Sequence, residues 1–102
     1  MISENWHAEP VSFFVLEYRY ADLDARARSR PDHLAYMQYL HEQGKVVLAG
    51  PVGDGSGAMV VLRLGSQEEA AEVIKGDPYT AAGVGVDHVL RPWNVAVPAE
   101  SD

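Results

Sequence analysis

The sequence contains no cysteine, which excludes disulfides, a thiolate nucleophile and thiolate metal ligands. It is also poor in positive charge. Eight Lys and Arg stand against 15 Asp and Glu, a net charge of −7. Nucleic-acid binding needs a basic surface that releases counterions, and anionic membranes attract polybasic segments. Neither is therefore an expected partner. A small anion is not excluded, because one well-placed arginine or helix N-terminus can bind it inside an acidic protein. No run approaches the ~20 apolar residues of a membrane-spanning helix. Residues 1–10 are polar and lack the apolar segment of a secretion signal. They read as a loose leader in which Trp6 and His7 are surface residues, and the expected compartment is the cytoplasm. Internal repeats and low-complexity segments are absent as well.

What remains is an ordinary globular composition, 47% apolar and 23% charged, over 102 residues. That length suits one domain, expected over residues 11–97, with 98–102 as a tail. So small a domain buries a modest share of its surface, and pairing with a second copy would help it. Val11–Tyr20 (VSFFVLEYRY) is rich in β-branched and aromatic residues and predicts a strand with apolar residues on both faces. Ala21–Arg30 is charged and reads as an arm or a short helical turn. Pro31 and Asp32 then open a helix that runs to about Gln43, where Gly44 stops it. Lys45–Ala49 and Ala58–Leu64 form a hairpin around the turn Val52–Gly57 (VGDGSG), which lacks the lysine and following helix of a phosphate loop. Ser66 and Glu69 make a capping box for a second helix, ended by Gly76-Asp77-Pro78. Tyr79–Ala82 adds a further turn, and Gly85–Trp93 is the last strand.

The order βαββαβ predicts an α+β, ferredoxin-like antiparallel sheet with both helices on one face. The uncovered face would expose a large apolar patch. Such patches mark interfaces, so a homodimer through the open sheet face is expected. RNA-binding members of this fold class stack bases on sheet aromatics beside basic residues, and the third strand offers no aromatic.

Four histidines could carry chemistry: His7, His33, His41 and His88. None are spaced three or four apart, and His33 and His41 would be roughly 12 Å apart along a helix, so no metal site is expected. His33, beside the apolar stripe of Leu34, Met37 and Leu40, falls in the first turn of the predicted helix. A helix N-terminus disfavours a positive charge and would keep it neutral. Taken singly, His33 fits a half-buried histidine bonded to a backbone group. Asp77 fits a turn residue, Tyr79 a packing residue and Arg30 a solvated charge.

Their order changes that reading. Arg30-Pro31-Asp32-His33-Leu34, then Gly44, Ala49-Gly50-Pro51, Asp77-Pro78-Tyr79 and Ala81-Ala82-Gly83-Val84 resemble the YciI-like (YCII-related domain) family over about residues 12 to 95. The resemblance implies a ferredoxin-like fold assembled as a dimeric α/β barrel. It implies His33 and Asp77 as the active-site pair, with Gly50-Pro51 lining the pocket. One member is a dehydrochlorinase of a chlorinated hydroxyhydroquinone, and muconolactone isomerases share the wider fold. The loop after Pro51 is short here where some members carry an insertion.

A carboxylate bonded to one imidazole nitrogen fixes the tautomer and raises the basicity of the other. Such a pair suits cofactor-independent elimination or isomerisation of a small ring compound. Arg30 would hold an anionic group of the ligand, and Tyr79 would close the pocket with a hydroxyl donor. The competing expectations are a binding module for a small metabolite and a dimerising accessory domain without catalysis.

Overall fold

A computed structural model describes residues 11–98. The expected leader, with Trp6 and His7, and most of the expected tail lie outside the described residues. The elements are β1 (Ser12–Tyr20), α1 (Leu23–Glu42), β2 (Val46–Pro51), β3 (Gly57–Leu64), α2 (Gln67–Gly76), α3 (Pro78–Ala81) and β4 (Gly85–Trp93). The four strands form one antiparallel sheet in the order β2-β3-β1-β4. This is the ferredoxin-like α+β arrangement expected from the strand and helix order.

Alternation along β1 divides its side chains between two environments. Phe14, Leu16 and Tyr18 are buried in the core, with Val60, Leu62 and Leu64 of β3. Met37 and Leu40 of α1, and Ala70 and Val73 of α2, cover this face. The opposite face carries Val15 level with Val61, which is level with Leu48, and Phe13 level with Trp93. Leu48, Met59, Val89 and Trp93 are exposed. Ion pairs Arg19–Asp87 and Arg91–Glu17 sit among them.

The first helix departs from expectation. It begins at Leu23, so Ala21–Arg30 is neither an arm nor a single turn, and Pro31 lies inside the helix rather than opening it. Asp22 is the N-cap, its carboxylate accepting from the amides of Asp24 and Ala25 at 3.0 Å. Pro31 leaves the Ala27 carbonyl without its helical donor, but both residues are exposed and water can serve it. Burial of Ala25, His33, Met37 and Leu40 on one side holds the helix through the proline. Leu34, assigned to the buried stripe from sequence, is exposed instead. The C-terminal stop is as expected, with Gly44 at φ +81°.

In α2, Ser66 Oγ accepts from the Glu69 amide at 3.1 Å, as the capping box requires. The Glu69 carboxylate reaches one residue further back, to the Gly65 amide at 3.0 Å. No helix among the described residues is long and apolar enough to cross a membrane.

Two irregularities shape the site. Between Glu17↔Val89 and Arg19↔Val86 the register gives two residues of β4, Asp87 and His88, against one of β1, Tyr18. Asp87 takes φ +55°, which aspartate tolerates. This bulge brings the His88 ring beside Tyr18, their centroids 5.3 Å apart. On the edge strand, Val47 is the extra residue between Val46↔Leu62 and Leu48↔Val61.

At the start of β3 the backbones approach so closely that a Cβ on Gly57 would lie 2.1 Å from the Tyr18 carbonyl oxygen. Relief would require moving the central strand. Gly57→Ala is expected to destabilise the fold by about 1–3 kcal/mol, the usual range for overpacking. Gly53→Ala, where nothing lies within 4 Å, should stay within about 0.5 kcal/mol of the parent. Urea denaturation of the two variants checks the contrast.

Candidate functional site

The long α1 presents Arg26, Arg30, His33, Met37 and His41 at intervals of four, three, four and four residues, which is one face of a helix. That face borders a cavity of about 610 Å³. The opposite wall is the β2–β3 end of the sheet, where Ala49 and Ala58 are too small to fill the gap and Gly50 contributes backbone. Pro51, Tyr18, Tyr20 and Tyr79 also line the cavity. Arg30, His33, Gly50, Pro51 and Tyr79, all singled out from sequence, therefore border one space.

Asp77 stands behind this wall rather than in it. His33 Nδ1 lies 2.8 Å from Asp77 Oδ1, joining residues 44 apart in sequence. Both are buried, His33 at 7% and Asp77 at 6% exposure, so the pair is screened from water while His33 also borders the cavity. A carboxylate accepts, so His33 Nδ1 is the donor of this pair and Nε2 is the nitrogen left for another partner. Nε2 has no hydrogen-bond partner among the described residues.

The chain around Asp77 folds to hold that carboxylate. Asp77 ends α2 and is at the same time the N-cap of α3, with Pro78 in the first helical position. Its Oδ1 accepts a second hydrogen bond from the Tyr79 amide at 2.9 Å. Tyr79 then lays its ring flat on His33, with centroids 3.7 Å apart and planes 5° apart. The imidazole is thus fixed in its plane by one bond and one stacked ring. Tyr79 is only 2% exposed, so it forms a wall against His33 rather than a lid.

His33 lies in the middle of α1, not in its first turn as expected. Nor does it bond a backbone group. His41 does that, with Nδ1 2.8 Å from the Val46 carbonyl.

Two residues near the site were not distinguished by the sequence. Arg26 has its guanidinium carbon 4.4 Å above the Tyr20 ring, a cation–π contact. The intervals 26, 30, 33 were the available signal, and they count only once the helix is continued back through Pro31 to Asp22. His88 arrives beside Tyr18 by the bulge, which leaves no mark in strand alternation. The Tyr18 hydroxyl is buried without a partner, and burial, with Asp77 nearby, pushes its pKa up. Among the described residues no three His, Asp or Glu gather to hold a metal ion.

Burial pushes the His88 pKa below its ordinary value, with Asp77 and Asp87 opposing. Protonation of His88 therefore favours the unfolded chain. Its contribution to stability is complete above about pH 6.5, the ordinary histidine value, and is lost as pH falls through the lower folded value. His88→Gln should consequently lose less melting temperature than the parent between neutral pH and pH about 5. Equal losses in thermal denaturation would remove this role.

The YCII-related domain matches residues 12–94. Protein YciI of Escherichia coli is 36% identical over 82 residues, covering 70% of this chain and 83% of that protein. Derivative of benzaldehyde biosynthesis cluster protein C of Emericella nidulans is 36% identical over 73 residues, covering 61% and 74%. Among solved structures, the 5-chloro-2-hydroxyhydroquinone dehydrochlorinase TftG of Burkholderia phenoliruptrix, in complex with 2,5-dihydroxybenzoquinone, superposes with a TM-score of 0.67 at 26% identity. That match covers 79% of this chain and 93% of TftG. Rv0793 of Mycobacterium tuberculosis shares the fold, with a TM-score of 0.57 at 12% identity over 88% of this chain and 99% of that one.

Proposed function

The chain belongs to the YCII-related domain family, and from that premise we propose that its cavity is the active site of a cofactor-independent lyase or isomerase acting on a small ring compound. One observation carries this reading: the cavity histidine has its remote nitrogen held by a buried carboxylate. His33 is the base and Asp77 the residue that orients it. In an elimination, Nε2 takes the proton, the electron pair released forms the new double bond, and a leaving group such as chloride departs with its own bonding pair. In an isomerisation, Nε2 returns the proton to a different atom of the ring. The likeness to TftG supports the elimination. Gly50 and Pro51 shape the far wall, Tyr79 holds the imidazole plane, and Arg30 stands at the cavity edge toward an anionic group.

The test uses 5-chloro-2-hydroxyhydroquinone as substrate, with chloride release and ring absorbance as readouts. General-base removal costs roughly 10²–10⁴-fold in rate, so His33→Ala should lose turnover by that order, read at a temperature where circular dichroism shows the variant folded, because the change also leaves buried Asp77 one donor short. Asp77→Asn leaves a group that bonds the imidazole without compensating its charge, and it should lower turnover while sparing ligand binding. A wild-type protein that binds the compound without consuming it, with both variants binding equally well, would instead make the domain a binding module.

We also propose that two copies associate through the open sheet face. Support comes from the apolar residues that face carries, with Leu48 at 68% and Val89 at 49% exposure. Sedimentation at micromolar concentration should give a dimer, and Leu48→Glu with Val89→Glu should give a folded monomer. A monomeric parent at that concentration would overturn the assembly.

A further inference from the structure

In a chain whose acids outnumber its bases 15 to 8, the cavity wall contains Arg26, Arg30, His33 and His41 and no aspartate or glutamate. This charge reversal is local, and the arginines differ in how they are satisfied. Arg19 and Arg91, both largely exposed, each hold a carboxylate. Arg26 is half-buried, yet among the described residues it has no ion pair, and its Nε is buried with no hydrogen-bond partner. Leaving a partly desolvated guanidinium without a carboxylate, and its Nε without an acceptor, is unfavourable unless something else completes it. The carboxylate one turn earlier, Asp22, is committed to capping the helix. Asp77, behind the wall, is committed to His33 and the Tyr79 amide.

Arg26 is nevertheless held in place. Its guanidinium lies over the Tyr20 ring, and Tyr20 meets Tyr79 edge-on, with centroids 6.1 Å apart. Tyr79 in turn lies flat on His33. A planar fork of donors is thus connected to the proposed base through two aromatic rings. Arg30 follows one turn later on the same helix face. Burial pushes the Tyr79 pKa up, with Arg26 acting against it both by its charge and by hydrogen bonding to the Tyr79 hydroxyl, and Arg30 by its charge.

We propose that Arg26, supported by Arg30, receives the oxyanion of a flat conjugated ligand, a ring carrying a carboxylate or an ionised enol, and so selects anionic rings over neutral ones. This rests on the cavity being the ligand site, and it adds the class of ligand and a specificity residue to that reading. Guanidinium suits such a group because its parallel N–H donors match a planar, delocalised pair of oxygens.

Isothermal titration of the whole protein with benzoate, 2,5-dihydroxybenzoquinone and neutral benzamide tests it. The parent should take at least one of the two anions and bind benzamide at least about tenfold more weakly, the scale of a charge-assisted hydrogen bond. Whichever anion binds tells carboxylate from enolate. Arg26→Gln should weaken that anion roughly 10- to 100-fold and leave benzamide unchanged. Arg26→Lys, which keeps the charge without the fork, should fall between. Should Arg26→Gln fail to melt cooperatively, Arg26→Lys and Arg30→Gln, the latter at an exposed position, carry the same comparison.

Repeating the titration in His33→Ala separates the two readings. Arg26-dependent anion binding without turnover in the parent would sink the acid–base reading and keep this one. Turnover or binding indifferent to ligand charge and to Arg26 would sink this one and keep the other. A parent that binds neither anion at millimolar concentration also overturns it.

Discussion

The hydrogen bond between His33 and Asp77 is the constraint on which the rest of the structure is arranged. Burying a carboxylate is costly unless it is paired and hydrogen-bonded, and Asp77 is buried at the junction of two helices. It is satisfied by two donors from different parts of the chain, the His33 ring and the Tyr79 amide. The first ties the middle of α1 to the α2–α3 junction. The second starts α3 and thereby sets the Tyr79 ring on His33. Orientation of the imidazole and closure of the local fold are thus one event. Docking of the helices reinforces it, since the Tyr36 hydroxyl donates to the Val73 carbonyl at 2.8 Å. Gly76 has no side chain where a Cβ would meet that hydroxyl at 2.6 Å.

A helix that places its chemistry on the sheet-facing side gives up part of its ordinary apolar stripe. On α1, Arg26 and His33 occupy inward positions that an ordinary amphipathic helix would fill with aliphatic residues. Ala25, Met37 and Leu40 remain to pack on the core. The resulting gap is the cavity, and it persists because the facing strand residues Ala49 and Ala58 are small. The cavity is therefore a consequence of side-chain choice on two elements, with no special loop required.

That same substitution explains what could be read from the sequence. The first strand stood out because Val11–Tyr20 is rich in β-branched and aromatic residues with apolar side chains on both faces, and the second helix announced itself through Ser66 and Glu69. The pairing of His33 with Asp77 spans 44 residues and no local pattern encodes it; it was accessible only through the resemblance carried by the order of short motifs. Pro31 concealed the first half of α1, since proline usually opens or ends a helix. Arg26 was hidden with it, because a residue placed in an arm has no helical partners at Arg30 and His33. His88 was hidden by the bulge at Asp87, which shifts side chains relative to simple alternation.

The charge distribution follows the same division of labour. Acidic residues outnumber basic ones over the whole chain, which repels approaching anions at long range. A cavity wall with arginines and no carboxylates reverses that field only nearby, where solvent is partly excluded and screening is weaker. Selection by such a site depends on short-range contact with a fixed guanidinium, and long-range steering contributes little. In the proposed reading, the aromatic chain from Tyr20 through Tyr79 to His33 fixes the distance between the guanidinium and the imidazole, so that a ring held by the first meets the second at its edge. Recognition and chemistry can share one helix face because the residues that hold each in place, Tyr20 for Arg26 and Asp77 for His33, come from different elements packed against it.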